Sequence, residues 1–206
     1  HSIINLTPDV VENIHKLGGT ILGSSRGPQN EDEIVDKLVK LKVNILYVIG
    51  GDGTLRGASK IVEAIERRNL KIAVIGIPKT IDNDIAYIDK SFGSETAFSK
   101  ACTAIEAAHT EAKGAMNGIG IVKVMGRHSG FIAANATLAT NDVNFVLVPE
   151  IKFELDGEKG FLATLKKRFR HSNHAVILVA EGAGQEFFEN MEKKYDPSGN
   201  EKLNDI

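Results

Sequence analysis

The chain has 206 residues, with 25 Lys and Arg against 27 Asp and Glu, and its formal net charge of -2 does not favour nucleic acid or a charged membrane surface as a partner. With 42% hydrophobic and 25% charged residues, the composition predicts a globular core and excludes a disordered or collagen-like chain. Cys102 is the only cysteine, so no disulfide forms within the chain, and we expect a cytoplasmic protein.

Short apolar segments rich in Val and Ile recur along the chain and have the length of buried parallel strands. In chain order they are residues 20–23, 44–50, 72–77, 118–125, 145–149 and 175–180. Helices are predicted between them, after Thr7, after Asn30, at 55–68, at 95–111, after Gly130 and at 159–170. This alternation predicts an α/β fold in which helices cover both faces of an open, mostly parallel sheet, giving three layers.

The ends of the chain and one internal stretch bear on domain organisation. The first predicted element is a helix, and residues 200–206 are a polar tail with no closing element, which suggests a central fragment of a longer protein. The polar stretch at residues 91–94 contains Gly93 and precedes the helix at 95–111. We therefore expect a domain boundary there.

A glycine-rich loop follows the second predicted strand. Gly50, Gly51 and Gly53 surround Asp52, so backbone N–H groups can approach a polyphosphate without hindrance from Cβ atoms, and the next helix begins there. A carboxylate in such a cradle needs a cation between it and the phosphates, which makes Asp52 a candidate Mg²⁺ ligand. The alternative is a plain strand-to-helix turn with Asp52 as the helix N-cap.

A polar loop at residues 78–84 follows the third predicted strand. Asp82 and Asp84 stand two residues apart beside Lys79 and Thr80. Phosphoryl transfer needs this mixture, because a base takes the proton of the attacking hydroxyl while cations and donors stabilise the moving group. An Asx-rich surface loop is the alternative.

Further candidates lie after other predicted strands. Arg127 follows the strand at 118–125 and can hold a phosphate, whereas His128 beside it is left unassigned. Arg26 follows the first predicted strand and is either a phosphate ligand or a solvated loop residue. Glu181 ends the last strand, where an acid can accept hydrogen bonds from sugar hydroxyls; on this position alone its role stays open.

The loops together resemble the signature motifs of the 6-phosphofructokinase family. The matching motifs, in the family's order, are GGDGT at residues 50–54, PKTIDND at 78–84, MGR at 125–127 and EG at 181–182. The GGDG loop alone is shared with NAD kinases and diacylglycerol kinases, but the TIDND loop is far more specific. The resemblance extends over nearly the whole chain and is greatest to the long-chain branch with plant, trypanosomatid and some bacterial enzymes.

The resemblance implies a fold of two Rossmann-like domains, both incomplete here, with residues 1–93 on the phosphate-donor side and 94–206 on the sugar-phosphate side. It implies transfer of phosphate to the 1-hydroxyl of fructose 6-phosphate with Mg²⁺ as cofactor, in a homo-oligomer, a dimer or tetramer. Asp82 is then the base, Asp84 and Thr80 assist it, and Asp52 serves Mg²⁺. The implied donor-binding residues are Gly51, Gly53, Thr54, Gly57, Arg26 and Lys79. The implied sugar-phosphate contacts are Thr80, Asp82, Met125, Gly126, Arg127 and Glu181, with Arg127 also at the transition state.

Two positions bear on the phosphate donor. Pyrophosphate-dependent relatives carry a second Asp where this chain has Gly53, and its carboxylate would repel the α-phosphate of ATP. The same relatives share a lysine at the position of Lys79, but plant-type ATP enzymes have this Gly and Lys pair as well. ATP is therefore the expected donor, with pyrophosphate as the alternative.

Several departures and rival functions remain. The family's first glycine-rich nucleotide loop and its His and Arg segment for the 6-phosphate lie outside this chain. Gly118 stands where many bacterial members have an arginine that reaches a neighbouring subunit. The rival functions are a NAD or lipid kinase and an inactive fragment or regulatory subunit of the same family.

Overall fold

The computed structural model describes residues 3–24, 27, 29–188, 195 and 202–204, and its strands form two sheets. The first sheet contains β1 (Ile45–Gly50), β2 (Ala73–Thr80) and β3 (Phe92–Gly93) in the order β1-β2-β3. The second contains β4 (Gly118–Val124), β5 (Phe145–Leu147) and β6 (His174–Ala180) in the order β4-β6-β5. All strand pairs are parallel. The predicted α/β class is confirmed, although the strands divide between two sheets.

The described residues also form six α-helices. They are α1 (Pro8–Val11), α2 (Glu31–Lys40), α3 (Asp52–Arg67), α4 (Ser94–Gly114), α5 (Phe131–Thr140) and α6 (Phe161–Arg168). Short 3₁₀ turns occur at Ile14–Lys16 and Gln185–Phe188. None of the described helices is both long and apolar enough to cross a bilayer.

Helices α2 and α3 pack on one face of the first sheet. The predicted start of α2 is confirmed, because the Asn30 side chain accepts hydrogen bonds from the backbone N–H groups of Asp32 and Glu33 at 2.9 and 3.2 Å. The core on this face contains Val35, Leu38, Ile61, Ala64 and Ile65. On β1, the alternate residues Ile45, Tyr47 and Ile49 are exposed, so the described helices cover only one face of this sheet.

The central strand of the second sheet, β6, is covered on both faces. Val176, Leu178 and Ala180 of β6 pack with α4 and α5, while their neighbours Ala175, Ile177 and Val179 pack with Leu165 of α6. Because successive strand residues point to opposite faces, β6 lies at the centre of three layers. Its burial explains why this segment is a continuous apolar run in the sequence.

Some predicted elements differ from the structure. Residues 20–23 form a turn instead of a strand, because Thr20 bonds locally to the backbone N–H groups of Leu22 and Gly23 and Gly23 has a φ of +71°. Helix α3 begins at Asp52, three residues before the predicted start, and α6 begins at Phe161 after Gly160 as N-cap. The predicted strands at 118–125 and 145–149 are confirmed but end earlier, at Val124 and Leu147.

Candidate active site

The glycine-rich loop joins β1 to α3. A Cβ on Gly50 would collide with the Thr54 side chain, so only glycine fits there. Gly51 is the N-cap of α3 and Asp52 is its first residue, so the reading of Asp52 as the N-cap is wrong. The Asp52 carboxylate instead lies 2.8 Å from Nη2 of Arg56, one helical turn later, in an exposed ion pair.

A cavity of about 540 Å³ lies beside this loop. Three of the predicted nucleotide-loop residues, Gly53, Thr54 and Gly57, line it together with Arg56. Added to Gly53, a Cβ would meet no atom within 4 Å, so the space above this residue is open. Arg26, another predicted donor ligand, lies outside the described residues, although its neighbour Gly27 lines the cavity.

The second loop lies next to the glycine-rich loop because β1 and β2 are paired in parallel. The register places Gly50 opposite Pro78, and a Cβ added to Gly51 would lie 3.5 Å from Cβ of Thr80. Strand β2 continues through Lys79 to Thr80, two residues that the sequence analysis assigned to the loop. The two predicted loops therefore meet at the carboxyl edge of one sheet.

A hydrogen-bond network fixes the second loop. The Asn83 side chain accepts from the backbone N–H of Ser91 at 2.7 Å and donates to the carbonyl of Asp89 at 3.0 Å. The hydroxyl of buried Ser91 donates to the carbonyl of Thr80 at 2.7 Å. Asn83 adopts a φ of +54°, which Asn tolerates better than most residues. Asn83 and Ser91 therefore hold the loop that carries the two acids, a structural role that the local sequence pattern did not indicate.

Asp82 is half-buried, and its surroundings perturb its acidity. Burial raises the pKa of Asp82, and the negative charges of Asp84 and Glu181 raise it further. The hydrogen bond from Thr80 Oγ1, 3.4 Å from Oδ2, and the positive charge of Arg127 act in the opposite direction. The site thus brings Asp84, Arg127 and Glu181 close enough for their charges to act on Asp82, and Thr80 close enough to hydrogen-bond to it.

The third loop, after β4, lies against the last strand and the second loop. Gly126 has a φ of +130° and its carbonyl accepts from the N–H of Gly182 at 3.1 Å, while the N–H of Glu181 donates to Val124 at 2.9 Å. Buried Ser129 donates its hydroxyl to the backbone carbonyl of Asp82 at 2.7 Å. Sequence reasoning missed Ser129, because nothing in its local pattern indicates a partner 47 residues away.

The remaining predicted residues have different exposures. Met125 and His128 are exposed, and Lys79 and Asp84 also face solvent. Arg127 and Glu181 line a second cavity, of about 290 Å³. It also contains Lys123 and the segment Lys202, Leu203 and Asn204, which sequence reasoning left without a role.

The glycine-rich loop offers one carboxylate, that of Asp52, to a magnesium ion. Among the described residues, no group of three or more His, Cys, Asp or Glu side chains is placed to hold a metal on its own. Magnesium usually binds through one or two carboxylates together with substrate phosphates and water. The single exposed carboxylate of Asp52, beside a loop open to a polyphosphate, fits that mode of binding.

Polar, glycine-rich loops gathered at the carboxyl ends of parallel strands define an α/β protein of the class that binds nucleotides and phosphorylated metabolites at that edge. The Phosphofructokinase family profile matches residues 1–203. The chain belongs to the phosphofructokinase family, as its motifs indicated.

Three curated relatives share about half of their aligned residues with the chain. An ATP-dependent 6-phosphofructokinase of Borreliella burgdorferi is 56% identical over 98% of this chain and 47% of its own length. ATP-dependent 6-phosphofructokinase 7 of Arabidopsis thaliana is 54% identical over 98% of this chain and 42% of its own. The Trypanosoma cruzi ATP-dependent enzyme is 50% identical over 100% and 42%. The likeness to plant, trypanosomatid and bacterial members is confirmed, and the chain spans less than half the length of these relatives.

Solved structures of the family share the fold. A pyrophosphate-dependent phosphofructokinase from Marinobacter aquaeolei superimposes with a TM-score of 0.73 at 26% identity, covering 86% of this chain and 46% of that one. Pichia pastoris phosphofructokinase in the T-state also gives a TM-score of 0.73, at 24% identity, over 86% of this chain and 20% of that one. These matches confirm the predicted phosphofructokinase-like architecture.

Proposed function

We propose that the protein containing this chain transfers the terminal phosphoryl group of ATP to the 1-hydroxyl of fructose 6-phosphate, giving fructose 1,6-bisphosphate. The observation that carries the proposal is the setting of Asp82, a half-buried carboxylate whose pKa is raised by burial and by Asp84. A raised pKa makes a carboxylate a better proton acceptor as long as the carboxylate is ionised.

The reaction assigns a separate task to each residue near Asp82. Asp82 accepts the proton of the 1-hydroxyl as the hydroxyl oxygen forms a bond to the terminal phosphorus of ATP. The bond between that phosphorus and the oxygen of ADP breaks at the same time. The Thr80 hydroxyl, 3.4 Å from Asp82 Oδ2, orients the carboxylate or the transferring group. Arg127 stabilises the charge on that group, and Glu181 accepts hydrogen bonds from the sugar.

The donor lies in the cavity along the start of α3. Gly53, Thr54 and Gly57 line this cavity, and the open space above Gly53 leaves room for a nucleotide. Asp52 would hold Mg²⁺, which supplies positive charge to the donor phosphates. Lys79 and Arg26 are assigned to the donor phosphates, the role that the resemblance implies for them. Met125 and Gly126 contact the sugar phosphate.

Organisation and location belong to the same proposal. Residues 1–93 form part of the donor side and residues 94–206 part of the sugar-phosphate side, with the active site between them. This division is supported by the two sheets, whose strands lie before and after that boundary. The assembled enzyme is a homo-oligomer, a dimer or tetramer, in the cytoplasm.

The test is the Asp82→Asn variant of the full-length protein, with Asp89→Asn as a control at an exposed acid that also lies between β2 and β3. We expect Asp82→Asn to lower kcat by a factor of about 10² or more, the usual contribution of a general base. Binding of fructose 6-phosphate, measured calorimetrically, should stay largely intact. Unchanged kcat in Asp82→Asn would remove this residue from the role of base.

A second candidate is pyrophosphate as the donor, which Lys79 favours. Assays of the wild-type protein with each donor separate the two candidates. Turnover with pyrophosphate but not with ATP would show that pyrophosphate is the donor. No turnover with either donor would indicate an inactive or regulatory member of the family.

A further inference from the structure

The cavity of about 290 Å³ beside Arg127 is lined in part by residues near the end of the sequence. Half of its six lining residues come from β4, the third loop and the end of β6, and the other half are Lys202, Leu203 and Asn204 from the tail of the chain. In the sequence this tail is a polar segment that predicts no element. The structure describes residues 202–204 of this tail, and it brings them to a site formed by residues that lie 20 or more positions earlier.

The side chain of Gln185 attaches this tail to the site. Its Nε2 donates to the carbonyl of Asn204 at 3.0 Å, and its Oε1 accepts from the N–H of Asn204 at 3.1 Å. The same Nε2 lies 3.3 Å from the carbonyl of Glu181. One amide group therefore joins the backbone of the tail to the backbone of the acid at the end of β6.

The charges of the cavity indicate what it binds. Lys123, Arg127 and Lys202 are cations, and Glu181 is the only acid among the six lining residues. An excess of positive charge in a concave site attracts anions, and a phosphate group takes hydrogen bonds from both ammonium and guanidinium groups. The single carboxylate and the tail backbone suit the hydroxyls of a sugar.

We propose that Lys202 binds the phosphate of the phosphorylated sugar, and that the Gln185 side chain positions Lys202 by pairing with the backbone of Asn204. This inference rests on the proposed function and extends it, because it adds a ligand from the tail to a site built from the family's loops. Lys202 is a substrate-binding residue, and Gln185 is a positioning residue.

The test compares Lys202→Gln and Lys202→Arg in the full-length protein, with Lys166→Gln as the control on the exposed side of α6. We expect Lys202→Gln to raise the KM for fructose 6-phosphate roughly 10-fold to 100-fold, the range for a hydrogen bond to a charged group. The value of kcat and the KM for ATP should change less than about threefold. Lys202→Arg should restore most of the affinity, and Lys166→Gln should match the wild type.

Gln185→Glu tests the positioning role separately. This substitution keeps the shape and the acceptor but removes the two N–H donors that reach Glu181 and Asn204. It should raise the same KM, and Lys202→Gln in that background should add little, because both changes act through one contact. In the wild type the KM for fructose 6-phosphate should rise with salt, because salt screens the attraction between Lys202 and the phosphate. In Lys202→Gln this charge pair is missing, so the KM should rise less steeply with salt.

The outcomes separate this inference from the proposed function. A wild-type protein that phosphorylates the sugar, with an unchanged KM in Lys202→Gln, would overturn the role of Lys202 alone. A fall in kcat with the KM unchanged would also overturn it, because it would show a structural effect on the reaction centre. No turnover by the wild type with either donor would instead overturn the proposed function.

Discussion

The carboxylate of Asp82 shows how the environment of one residue determines the pH range of the proposed reaction. Its pKa is raised first by burial and then by the like charge of Asp84, while Thr80 and Arg127 lower it. A base must be ionised, so activity is lost as the pH falls through the raised pKa. The acid limb of the pH profile therefore reports these contacts.

Asp84→Asn removes one of the negative charges that raise the pKa of Asp82. We expect the acid limb of the profile of kcat/KM against pH to move to lower pH, because Asp82 then ionises more readily. The measurement is a pH series in the full-length protein. Asp9→Asn, at an exposed acid of α1, should leave the limb in place. A limb that moves to higher pH in Asp84→Asn would contradict the electrostatic account.

Gly53 is the residue on which the expected choice of donor depends. In Gly53→Asp the new side chain should fit, since no atom lies within 4 Å of the added Cβ, but it places a second carboxylate at the wall of the donor cavity. We expect the KM for ATP to rise about tenfold or more through repulsion of the phosphates. Asn has the shape of Asp but no charge, so the KM for ATP should rise far less in Gly53→Asn. Equal effects of Asp and Asn would mean that bulk, not charge, determines donor choice.

At the scale of elements, the contact between α4 and β4 depends on two glycines of the strand. A Cβ on Gly118 would collide with the backbone of Ala112, and one on Gly120 would lie 2.7 Å from the carbonyl oxygen of Ala108. The helix backbone therefore lies directly on the strand. For the same reason position 118 cannot accept a long side chain without displacing the helix.

Gly120→Ala tests this close approach. We expect it to lower the free energy of unfolding by about 1–3 kcal/mol, the usual cost of overpacking. Gly114, the last residue of α4, has nothing within 4 Å of an added Cβ, so Gly114→Ala should be neutral or stabilising by up to about 1 kcal/mol. Chemical denaturation of both variants gives the comparison. Similar losses at the two positions would show that packing against the helix is not the cause.

For the whole molecule, the hydroxyl of Ser129 connects the two sheets at the site. It belongs to the loop after β4, and it donates to the backbone carbonyl of Asp82 in the loop after β2. Ser129 is buried, so its hydroxyl would lack a partner if this hydrogen bond were lost, which makes the bond costly to break. The position of the proposed base therefore depends on a residue of the other sheet.

Ser129→Ala removes this connection, and Ser172→Ala serves as its control. Ser172 also donates its hydroxyl to a backbone carbonyl, that of His174 at 3.2 Å, but at the opposite end of β6. Each variant should lose about 1 kcal/mol of stability. Only Ser129→Ala should also lower kcat, because the Asp82 loop is then held less firmly. Equal kcat values in the two variants would show that the connection stabilises the fold without affecting the reaction.

The sequence by itself determined the elements and the candidate residues. Apolar runs such as the one at β6 reveal a doubly covered strand, and the motifs around Asp52, Asp82 and Arg127 identified the family. The sequence predicted a strand wrongly at residues 20–23. There the hydroxyl and the carbonyl of Thr20 accept hydrogen bonds from nearby backbone N–H groups, so this short apolar run forms a turn and needs no partner strand.

Only the tertiary structure decided which groups meet. Two hydrogen bonds, from Ser129 to Asp82 and from Asn204 to Gln185, join residues of different loops or elements. The raised pKa of Asp82 likewise depends on burial and on charges from other parts of the chain. Such contacts depend on strand order and on burial, which no local spacing encodes. Periodicity and propensity act over a few residues, whereas the polarity and acidity of the site arise from neighbours that the fold brings together from distant parts of the chain.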